Sequence, residues 1–448
     1  MKDSNHPNAL APTTRRDFLK KTSTAVAGGT LLGGLTLERS AFAAGSDTLK
    51  VALIGCGGRG SGAADQALST SGGVKLVAMA DVFEDKLQGS LGNLKKQHAD
   101  RVEVPKERQF VGFDAYKQAI ALADVVVLAT PPGFRPIHFE EAVKQGKNIF
   151  MEKPVATDAP GVRRVLAAAE EAKKKNLKVG VGLQRHHQLG YIETLNRLWD
   201  GAIGEITSMR CYWNGTTPWV HPRADLEKQY GRKLTEMEYQ MRNWYYFVWI
   251  CGDHIVEQHI HNLDVMNWVM KGHPVRAHGM GGVEVRKGPD YGEIFDHHAV
   301  EFEYADGTRC FSQCRHINGC WSDVSEHVVG SKGSADLLDG RWAITGSSPW
   351  RFQAKQQRDR YQQEHDDLFE AIRNNKPYSE VEYGAHSTMT AIFGRMATYS
   401  GKVLEWDDAI NSKISVMPQN FAWDAETPNK PRSDGWYDHA VPGKTRVV

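Results

Sequence analysis

A strand-turn-helix segment near the start of the chain most strongly constrains its fold. Residues 49–62 read LKVALIGCGGRGSG, in which Gly55, Gly57 and Gly60 spell G-x-G-x-x-G after a β-rich run and before a helix-forming one. In such a turn the first glycine permits a tight bend, the second lets the backbone approach a pyrophosphate, and the third lets helix and strand pack closely. Free N–H groups at the helix N-terminus then face the phosphates. The segment predicts a dinucleotide-binding βαβ unit, with Gly58 and Arg59 also in contact with the cofactor.

An acidic residue ends the next β-rich run, as this kind of unit requires. Asp81 lies 21 residues after Gly60, where a carboxylate binds the adenosine ribose hydroxyls and repels a 2′-phosphate. No Arg or Lys directly follows Asp81 to reverse that preference. The sequence therefore favours NAD as the cofactor, with NADP as the alternative.

Strand-like and helical stretches alternate from Leu49 to about Leu183, which indicates an α/β fold with a parallel, doubly wound sheet. The predicted strands are 50–54, 75–80, 124–129, 148–151 and 178–182. The predicted helices are 61–69, 83–99, 114–121, 137–145 and 160–175. We expect a Rossmann domain at 47–183 and a substrate-binding α+β domain at 184–448, whose final helices pack back toward the first domain. In the second domain, Asp306-Gly307 and the segment 330–333 are predicted hairpin turns.

The first 43 residues predict an export signal and are excluded from the fold. Arg15 and Arg16 begin the run RRDFLK, residues 25–37 are apolar and glycine-rich, and Ala41-Phe42-Ala43 fits a cleavage site. We interpret residues 1–43 as a twin-arginine signal peptide, which carries a folded protein to the periplasm. A membrane anchor is the alternative, but the apolar run is shorter than the roughly 20 residues that a membrane span needs.

Charge and cysteine content exclude other classes of protein. Lys and Arg number 55 against 54 Asp and Glu, a net charge of +1, so no bulk field attracts nucleic acid or anionic lipid. The six cysteines include no C-x-x-C pair and are too few for a disulfide framework in so long a chain. A bridge among Cys310, Cys314 and Cys320 stays open, although folding before export disfavours it.

Two later segments carry reactive side chains. Residues 148–154, NIFMEKP, end a predicted strand with Lys153 in E-K-P. Residues 251–268, CGDHIVEQHIHNLDVMNW, place Glu257 and His261 four residues apart on one face of a predicted helix. The expected contacts with the nicotinamide half of the cofactor are Thr130, Pro131, His138, Glu152 and Lys153.

These motifs resemble those of the Gfo/Idh/MocA oxidoreductases, and the resemblance covers nearly all of the chain after the signal peptide. It implies a Rossmann domain, a second domain with a large, open, mostly antiparallel sheet, a sugar held between that sheet and the nicotinamide, and a homodimer or homotetramer. The E-K-P lysine of the family falls on Lys153. The histidine of its D-x-G-x-H segment, which lies beside the reacting hydroxyl, falls on His261. Glu257 and His259 stand where the family has Asp and Gly.

The chemistry follows from the side chains. Oxidation of a secondary alcohol sends hydride to the nicotinamide while a base removes the hydroxyl proton. His261 suits the role of base, because the unperturbed pKa of histidine is about 6.5. Lys153 can donate a hydrogen bond to the same oxygen, and Glu257 would orient the imidazole or share in proton transfer. Asp264, one turn after His261, is interpreted as a pairing residue on the helix surface.

An aromatic and charged segment from Thr216 to Trp249 is a candidate sugar-binding surface, because aromatic faces stack on the apolar face of a pyranose. The predicted substrate contacts are Arg185, His186, Trp244, Tyr245 and His259. Core or subunit-interface packing is the alternative for any single tryptophan.

Alternating histidines and acids at 253–261 raise the question of a metal ion. A helical zinc site needs two histidines four residues apart, whereas here that spacing joins Glu257 to His261, so no metal is expected. The hydrolase signature G-x-S-x-G and the P-loop are both absent from the sequence.

Export constrains how the cofactor is used. Free NAD is not expected outside the cytoplasm, so NAD must travel tightly bound and be re-oxidised in place. A second carbonyl substrate, an external acceptor, or return of hydride to the same sugar after an elimination would achieve this. We therefore predict an NAD-dependent oxidoreductase that oxidises a secondary hydroxyl of a sugar or glycoside, with C3 as the expected carbon. A redox-neutral NAD-dependent glycosidase and a non-catalytic sugar- or NAD-binding protein are the alternatives.

Overall fold

The first sheet contains six parallel strands in the order β3-β2-β1-β4-β5-β6. The computed structural model describes residues 48–338, 340–353 and 358–448, and the predicted signal peptide lies outside them. The strands are β1 Leu49–Ile54, β2 Val74–Asp81, β3 Gln109–Val111, β4 Val125–Leu128, β5 Asn148–Met151 and β6 Val179–Val181. All four residues of β4 are buried, as expected where helices cover both faces of a parallel sheet.

The helices of this region alternate with its strands, which confirms the predicted doubly wound fold. They are α1 Gly58–Leu68, α2 Glu84–Gln97, α3 Ala115–Ala121, α4 Arg135–Lys144 and α5 Ala159–Lys174. Helix α5 begins where the Asp158 carboxylate accepts a hydrogen bond from the Gly161 N–H at 2.8 Å, which caps its first turn.

The second sheet has nine strands in the order β14-β13-β12-β11-β7-β10-β9-β8-β15. Only the β7–β10 pair is parallel among the pairs in the described residues, so the sheet is mostly antiparallel, as the resemblance implied. Both predicted hairpins are present, and Gly307 adopts a φ of +86° in the first. The strands are β7 Ile206–Gly215, β8 Arg276–Gly282, β9 His297–Glu303, β10 Arg309–His316, β11 Asp323–Gly330, β12 Gly333–Leu338, β13 Arg341–Gly346, β14 Trp350–Arg351 and β15 Leu404–Glu405.

A long buried helix, Val381–Ser400, holds the two sheet regions together. This helix, α13, packs on β8 and β9 of the second sheet and on α5 beside the first. The preceding helix, α12, contacts α1, β5 and β6. The helices of this region are α6 Leu189–Trp199, α7 Arg223–Tyr230, α8 Glu236–Arg242, α9 Val248–Cys251, α10 His254–Glu257, α11 Ile260–Met270, α12 Arg360–Arg373, α13 Val381–Ser400 and α14 Trp406–Ile410. The division at residue 183 stays a prediction.

All six cysteines lie in the described part of the chain and are free thiols, so no bridge joins Cys310, Cys314 and Cys320. Five of them are buried, and Cys320 is exposed. Among the described residues, no helix combines the length and apolarity needed to span a bilayer.

A buried histidine ties helices α12 and α13 to the segment that follows β6. His187 Nδ1 lies 2.6 Å from the Asp367 carboxylate, and Nε2 lies 3.0 Å from that of Glu380. Burial by itself would lower the pKa of His187, but the two carboxylates outweigh it and raise the pKa to about 10. The imidazole is therefore a cation at neutral pH.

Replacing His187 by Gln removes this cation and should lower the free energy of unfolding at about pH 6 by about 3 kcal/mol, the low end of the cost of breaking a buried pair. Because the folded-state pKa is raised, the contribution is present in full below the ordinary value of about 6.5 and is lost as the pH rises toward about 10. Urea unfolding of both proteins across this range measures it. The more exposed pair of His98 with Asp65 is the control, where His98→Gln should cost less than about 1 kcal/mol. A wild-type advantage that does not shrink with rising pH would contradict the assignment.

Candidate functional site

The glycine turn between β1 and α1 combines close internal contacts with open space. A Cβ on Gly55, whose φ is +93°, would lie 2.4 Å from the Thr130 backbone N, and one on Gly60 would lie 1.9 Å from the Gly55 carbonyl oxygen. A Cβ on Gly57 or Gly58 would meet no atom within 4 Å. No described side chain caps the N-terminus of α1, so its first N–H groups are available to an anion.

The Asp81 carboxylate is held against this turn. It accepts hydrogen bonds from the Cys56 N–H at 2.6 Å and from the Phe83 N–H at 2.8 Å. Burial raises the pKa of Asp81, and these two backbone donors oppose that effect. The carboxylate thus lies at the carboxyl end of β2, next to the glycines, where ribose hydroxyls bind in this fold.

Arg59 joins the turn to two other elements. Its guanidinium pairs with Glu152 after β5, donates to Glu364 Oε1 of α12 at 3.0 Å, and lies 5.0 Å over the ring of Tyr361. Burial opposes its charge, but Glu152 and Glu364 raise the pKa of Arg59. Arg59 and Glu152, both predicted cofactor contacts, are therefore bonded to each other.

The loop after β4 is braced from behind by two buried residues. The Thr130 hydroxyl lies 3.2 Å from His138 Nδ1, and Arg135 donates to the Thr130 carbonyl at 2.6 Å. Burial, helped by Arg135, lowers the pKa of His138 to about 3, so its ring is neutral. His138 supports the loop that contains Thr130 and Pro131, and its ring centroid lies 4.2 Å from that of Tyr116 in a tilted arrangement.

Lys153 reaches from the end of β5 to the segment that carries Glu257. Its ammonium donates to the Glu257 carbonyl oxygen at 2.7 Å and to the carboxylate Oε1 at 3.3 Å. Both side chains are mostly buried, with 14% and 13% of their surface exposed. Burial raises the pKa of Glu257, and Lys153 opposes this effect.

The prediction of one continuous helix through Glu257 and His261 is wrong. Helix α10 ends at Glu257 and α11 begins at Ile260. In an unbroken helix the His261 N–H would donate to the Glu257 carbonyl, but it donates to Gln258 O at 3.3 Å, and the Glu257 carbonyl accepts from Lys153 instead. The two side chains therefore lie on either side of a helix break.

His261 lies at the start of α11 over a strand of the second sheet. Its ring stacks on Trp213 of β7, with centroids 5.9 Å apart. Burial lowers the pKa of His261 well below its usual range, and Lys153 and Arg185 lower it further. The ring is therefore neutral and able to accept a proton. Asp264 is buried and accepts a hydrogen bond from Ser387 at 2.8 Å, so its placement on the helix surface is corrected.

Three predicted substrate contacts make bonds within the protein. Arg185 donates to the His261 carbonyl at 3.0 Å and pairs with Glu326. His186 is stacked between the rings of Trp268 and Tyr383 and lies 2.9 Å from the Asp264 carboxylate. His259 is fully buried, 2.7 Å from the Ser312 hydroxyl of β10. These are framework contacts, and a role for the three residues in binding substrate stays a prediction.

Trp244 and Tyr245 lie in a short 3-10 turn before α9. Trp244 and Trp219 meet edge to face, with centroids 5.8 Å apart. The Tyr245 hydroxyl is buried without a hydrogen-bond partner among the described residues. Burial raises the pKa of Tyr245, and the Glu257 carboxylate raises it further, so the phenol lies within electrostatic range of the Lys153–Glu257 pair.

Sequence reasoning missed Glu326, the acid beneath this site. Glu326 accepts hydrogen bonds from Tyr191 at 3.0 Å and from Arg185 and Asn262, and it is completely buried. The Glu326 side chain lies on the same buried face of β11 as Val328. An acidic residue on the buried face of a strand breaks the usual pattern, and this break is the sequence signal that could have identified Glu326. The role of Trp213 carried no comparable signal, since it is one of several apolar residues on β7.

The residues at the edge of the first sheet fit an NAD cofactor. Gly57 and Gly58 leave space beside an uncapped helix N-terminus for the pyrophosphate, and Asp81 lies where the adenosine ribose would bind. Lys153, at the carboxyl end of β5, lies on the side of the sheet where the nicotinamide half binds in this architecture.

Comparisons with known proteins agree with this geometry. Residues 49–182 match the GFO_IDH_MocA oxidoreductase family, NAD-binding Rossmann fold, and residues 192–336 match the GFO/IDH/MocA C-terminal domain. An inositol 2-dehydrogenase of Ralstonia nicotianae is 28% identical over 300 residues, 65% of this chain and 74% of the relative.

Two solved structures share the fold over most of the chain. Aldose-aldose oxidoreductase from Caulobacter crescentus, complexed with glycerol, has a TM-score of 0.63 at 18% identity and covers 80% of this chain and 99% of its own. Levoglucosan dehydrogenase in complex with NADH and levoglucosan has a TM-score of 0.62 at 15% identity, with coverage of 80% and 99%.

Two substitutions to alanine should separate folding from cofactor binding. Gly60→Ala places its methyl 1.9 Å from a backbone oxygen, so the melting temperature should fall sharply. Gly57→Ala meets open space, so the melting temperature should be unchanged while the methyl intrudes on the pyrophosphate and weakens NADH binding by at least about tenfold, or 1.4 kcal/mol. Thermal melts and NADH fluorescence titrations measure both. Normal NADH affinity in Gly57→Ala would show that the phosphates do not bind at this turn.

Proposed function

Because the chain belongs to the Gfo/Idh/MocA family of NAD-binding oxidoreductases, we propose that it oxidises a secondary hydroxyl of a sugar or glycoside, with C3 as the expected carbon. The observation that carries the proposal is the contact of Lys153 with Glu257 beside a neutral His261. The names of similar proteins, inositol 2-dehydrogenase and levoglucosan dehydrogenase, point to polyhydroxylated rings as the substrate class.

The protein's own groups divide the proton chemistry. NAD, when bound, supplies the hydride acceptor. His261 is neutral and accepts the proton of the reacting hydroxyl, while the Lys153 ammonium donates a hydrogen bond to the same oxygen and stabilises its developing negative charge. Glu257 holds the ammonium through its carbonyl and carboxylate oxygens.

The proposal includes export and a cofactor that does not dissociate. The run RRDFLK at 15–20 and the apolar segment after it support a twin-arginine signal peptide and a periplasmic location. Tight binding of NAD follows from the lack of free NAD at that location. We also propose a homodimer or homotetramer formed through the second sheet, on which β8 exposes Met280 by 79% and β10 exposes Phe311 by 47%.

The proposal is tested on protein purified without added nucleotide. Denaturation should release stoichiometric NAD(H), and a panel of inositols, aldoses and glycosides should reduce the nicotinamide, measured by its absorbance. Lys153→Met should lower turnover by about 10²–10⁴-fold, the usual range for loss of a positioned proton-transfer group, with a much smaller effect on NADH binding.

Lys178 provides the matched control, because it is a buried lysine at the start of β6 that bonds to Asn375. Lys178→Met should keep wild-type turnover in the same assays in which Lys153→Met loses turnover. Aglycone release without net reduction would favour the glycosidase alternative instead. Sugar binding without turnover, insensitive to Lys153→Met, would favour a binding protein.

Preference for NAD should depend on the Asp81 carboxylate. Asp81→Asn keeps an acceptor for the Cys56 N–H but removes the charge that repels a 2′-phosphate, so the NAD to NADP affinity ratio should fall by about tenfold or more, at least about 1.4 kcal/mol. Asp124→Asn is the control. The Asp124 carboxylate also accepts a hydrogen bond from a backbone N–H, that of Lys50 at 2.9 Å, but it lies at the amino ends of the strands, away from the cofactor turn. Equal ratios in wild type and Asp81→Asn would remove Asp81 from cofactor selection.

A further inference from the structure

A second cluster of ligand-type side chains lies at the start of α10. Asp253, His254 and His298 are each fully buried, and one potential ligand atom from each lies within 4.8 Å of the other two. His298 Nε2 is 3.3 Å from Asp253 Oδ1, and His254 Nε2 is 3.9 Å from the same oxygen. Asp253 and His254 are adjacent in sequence, and His298 lies on β9.

The buried imidazole of His254 lacks hydrogen-bond partners among the described residues. Neither ring nitrogen forms a hydrogen bond with any described residue, although the side chain is fully buried. Buried imidazoles in proteins are normally hydrogen-bonded or coordinate a metal, because an unsatisfied polar group is costly in the interior. The free nitrogens are therefore an independent indication of a ligand at this position.

The hydrogen bonds around His298 leave a lone pair directed at a carboxylate. The Thr398 hydroxyl lies 3.0 Å from the Arg395 carbonyl, to which it can donate, and 2.9 Å from His298 Nδ1, from which it can then accept a hydrogen bond. In a neutral ring Nε2 then carries the lone pair and faces Asp253 Oδ1 at 3.3 Å. At this distance either a proton on Nε2 or a metal ion between the two atoms would satisfy both of them.

Asp253 is fixed by its other contacts. Oδ2 accepts hydrogen bonds from Tyr399 at 2.5 Å and from the Phe295 N–H at 3.0 Å, and Oδ1 accepts the His254 N–H at 2.5 Å. The residue adopts a φ of +79°, which is rare for a side chain other than glycine and is retained only where surrounding contacts impose it. The carboxylate is thus preorganised toward the two histidines.

We propose that Asp253, His254 and His298 bind one divalent ion of the zinc class. One carboxylate oxygen and two imidazole nitrogens suit such an ion, with water in the remaining position. The buried Arg286 and Arg395 lie nearby and oppose a cation, whereas the carboxylates of Asp253 and Asp296 favour it. The ion would fix the first residue of the short helix whose last residue, Glu257, contacts Lys153.

The test uses the full chain, purified with a tag that contains no histidine and carrying Cys320→Ser to remove the one exposed thiol. After treatment with a chelator and dialysis, Zn²⁺ and Co²⁺ are added separately. We expect about one equivalent of metal per chain by mass spectrometry, visible cobalt absorption typical of a low-coordinate site, and a higher melting temperature with the ion than without it.

Single ligand variants give the second arm of the test. His254→Asn and His298→Asn should each weaken binding by more than the roughly 10–100-fold that loss of an outer-shell partner costs. The control is His327→Asn, a histidine of the same sheet that lies 2.6 Å from the Asp336 carboxylate, and it should bind normally.

Two results would overturn the proposal. One is a chelator-treated protein that takes up no zinc or cobalt. That result would mean that a proton on His298, and not a metal ion, lies between His298 Nε2 and Asp253 Oδ1. The other is uptake that both ligand variants retain. The cobalt titration of the otherwise unchanged chain decides the first point even if the ligand variants fail to fold.

Discussion

The Lys153 ammonium replaces a hydrogen bond within a helix, and the candidate site depends on that replacement. The Glu257 carbonyl accepts the ammonium at 2.7 Å in place of the His261 N–H, at the break between α10 and α11. One contact thereby joins the end of β5 in the first sheet to the segment that lies against the second. A largely buried lysine is tolerated because a carbonyl and a carboxylate both accept from it. Without either partner the charge would be left uncompensated.

Charged pairs behind the site hold its elements in register. Arg185 donates to the His261 carbonyl and pairs with Glu326, so β11 supports the start of α11 through one guanidinium. Arg59 does the same for the cofactor turn, which it joins to Glu364 of α12. These pairs are buried or mostly buried. Replacement by apolar residues could preserve stability, but it would remove the contacts that fix the His261 carbonyl and the glycine turn. Their contribution is positional.

The first sheet was predictable because its signals are local. Every predicted strand there matches an observed one to within one residue at each end, since glycine turns and β-rich runs mark the boundaries. Strand β3 was missed, because three residues at the sheet edge carry no periodicity. The helix break was also missed, since the group that bonds to the Glu257 carbonyl there, Lys153, is 104 residues away in the chain. The Arg59–Glu364 pair spans 305 residues, and no local pattern encodes such a contact.

Two histidines illustrate how neighbours assign opposite roles to one residue type. His187 lies between two carboxylates, which raise its pKa and keep it charged. His261 is buried near Lys153 and Arg185, which keep it neutral. A base with so low a pKa is in the accepting form over a wide pH range but is a weak acceptor. The same Lys153 that lowers the pKa of His261 would stabilise the alkoxide of the reacting hydroxyl and make its proton easier to remove. Under the proposed function, proton transfer at this site would therefore depend more on the lysine than on the strength of the base.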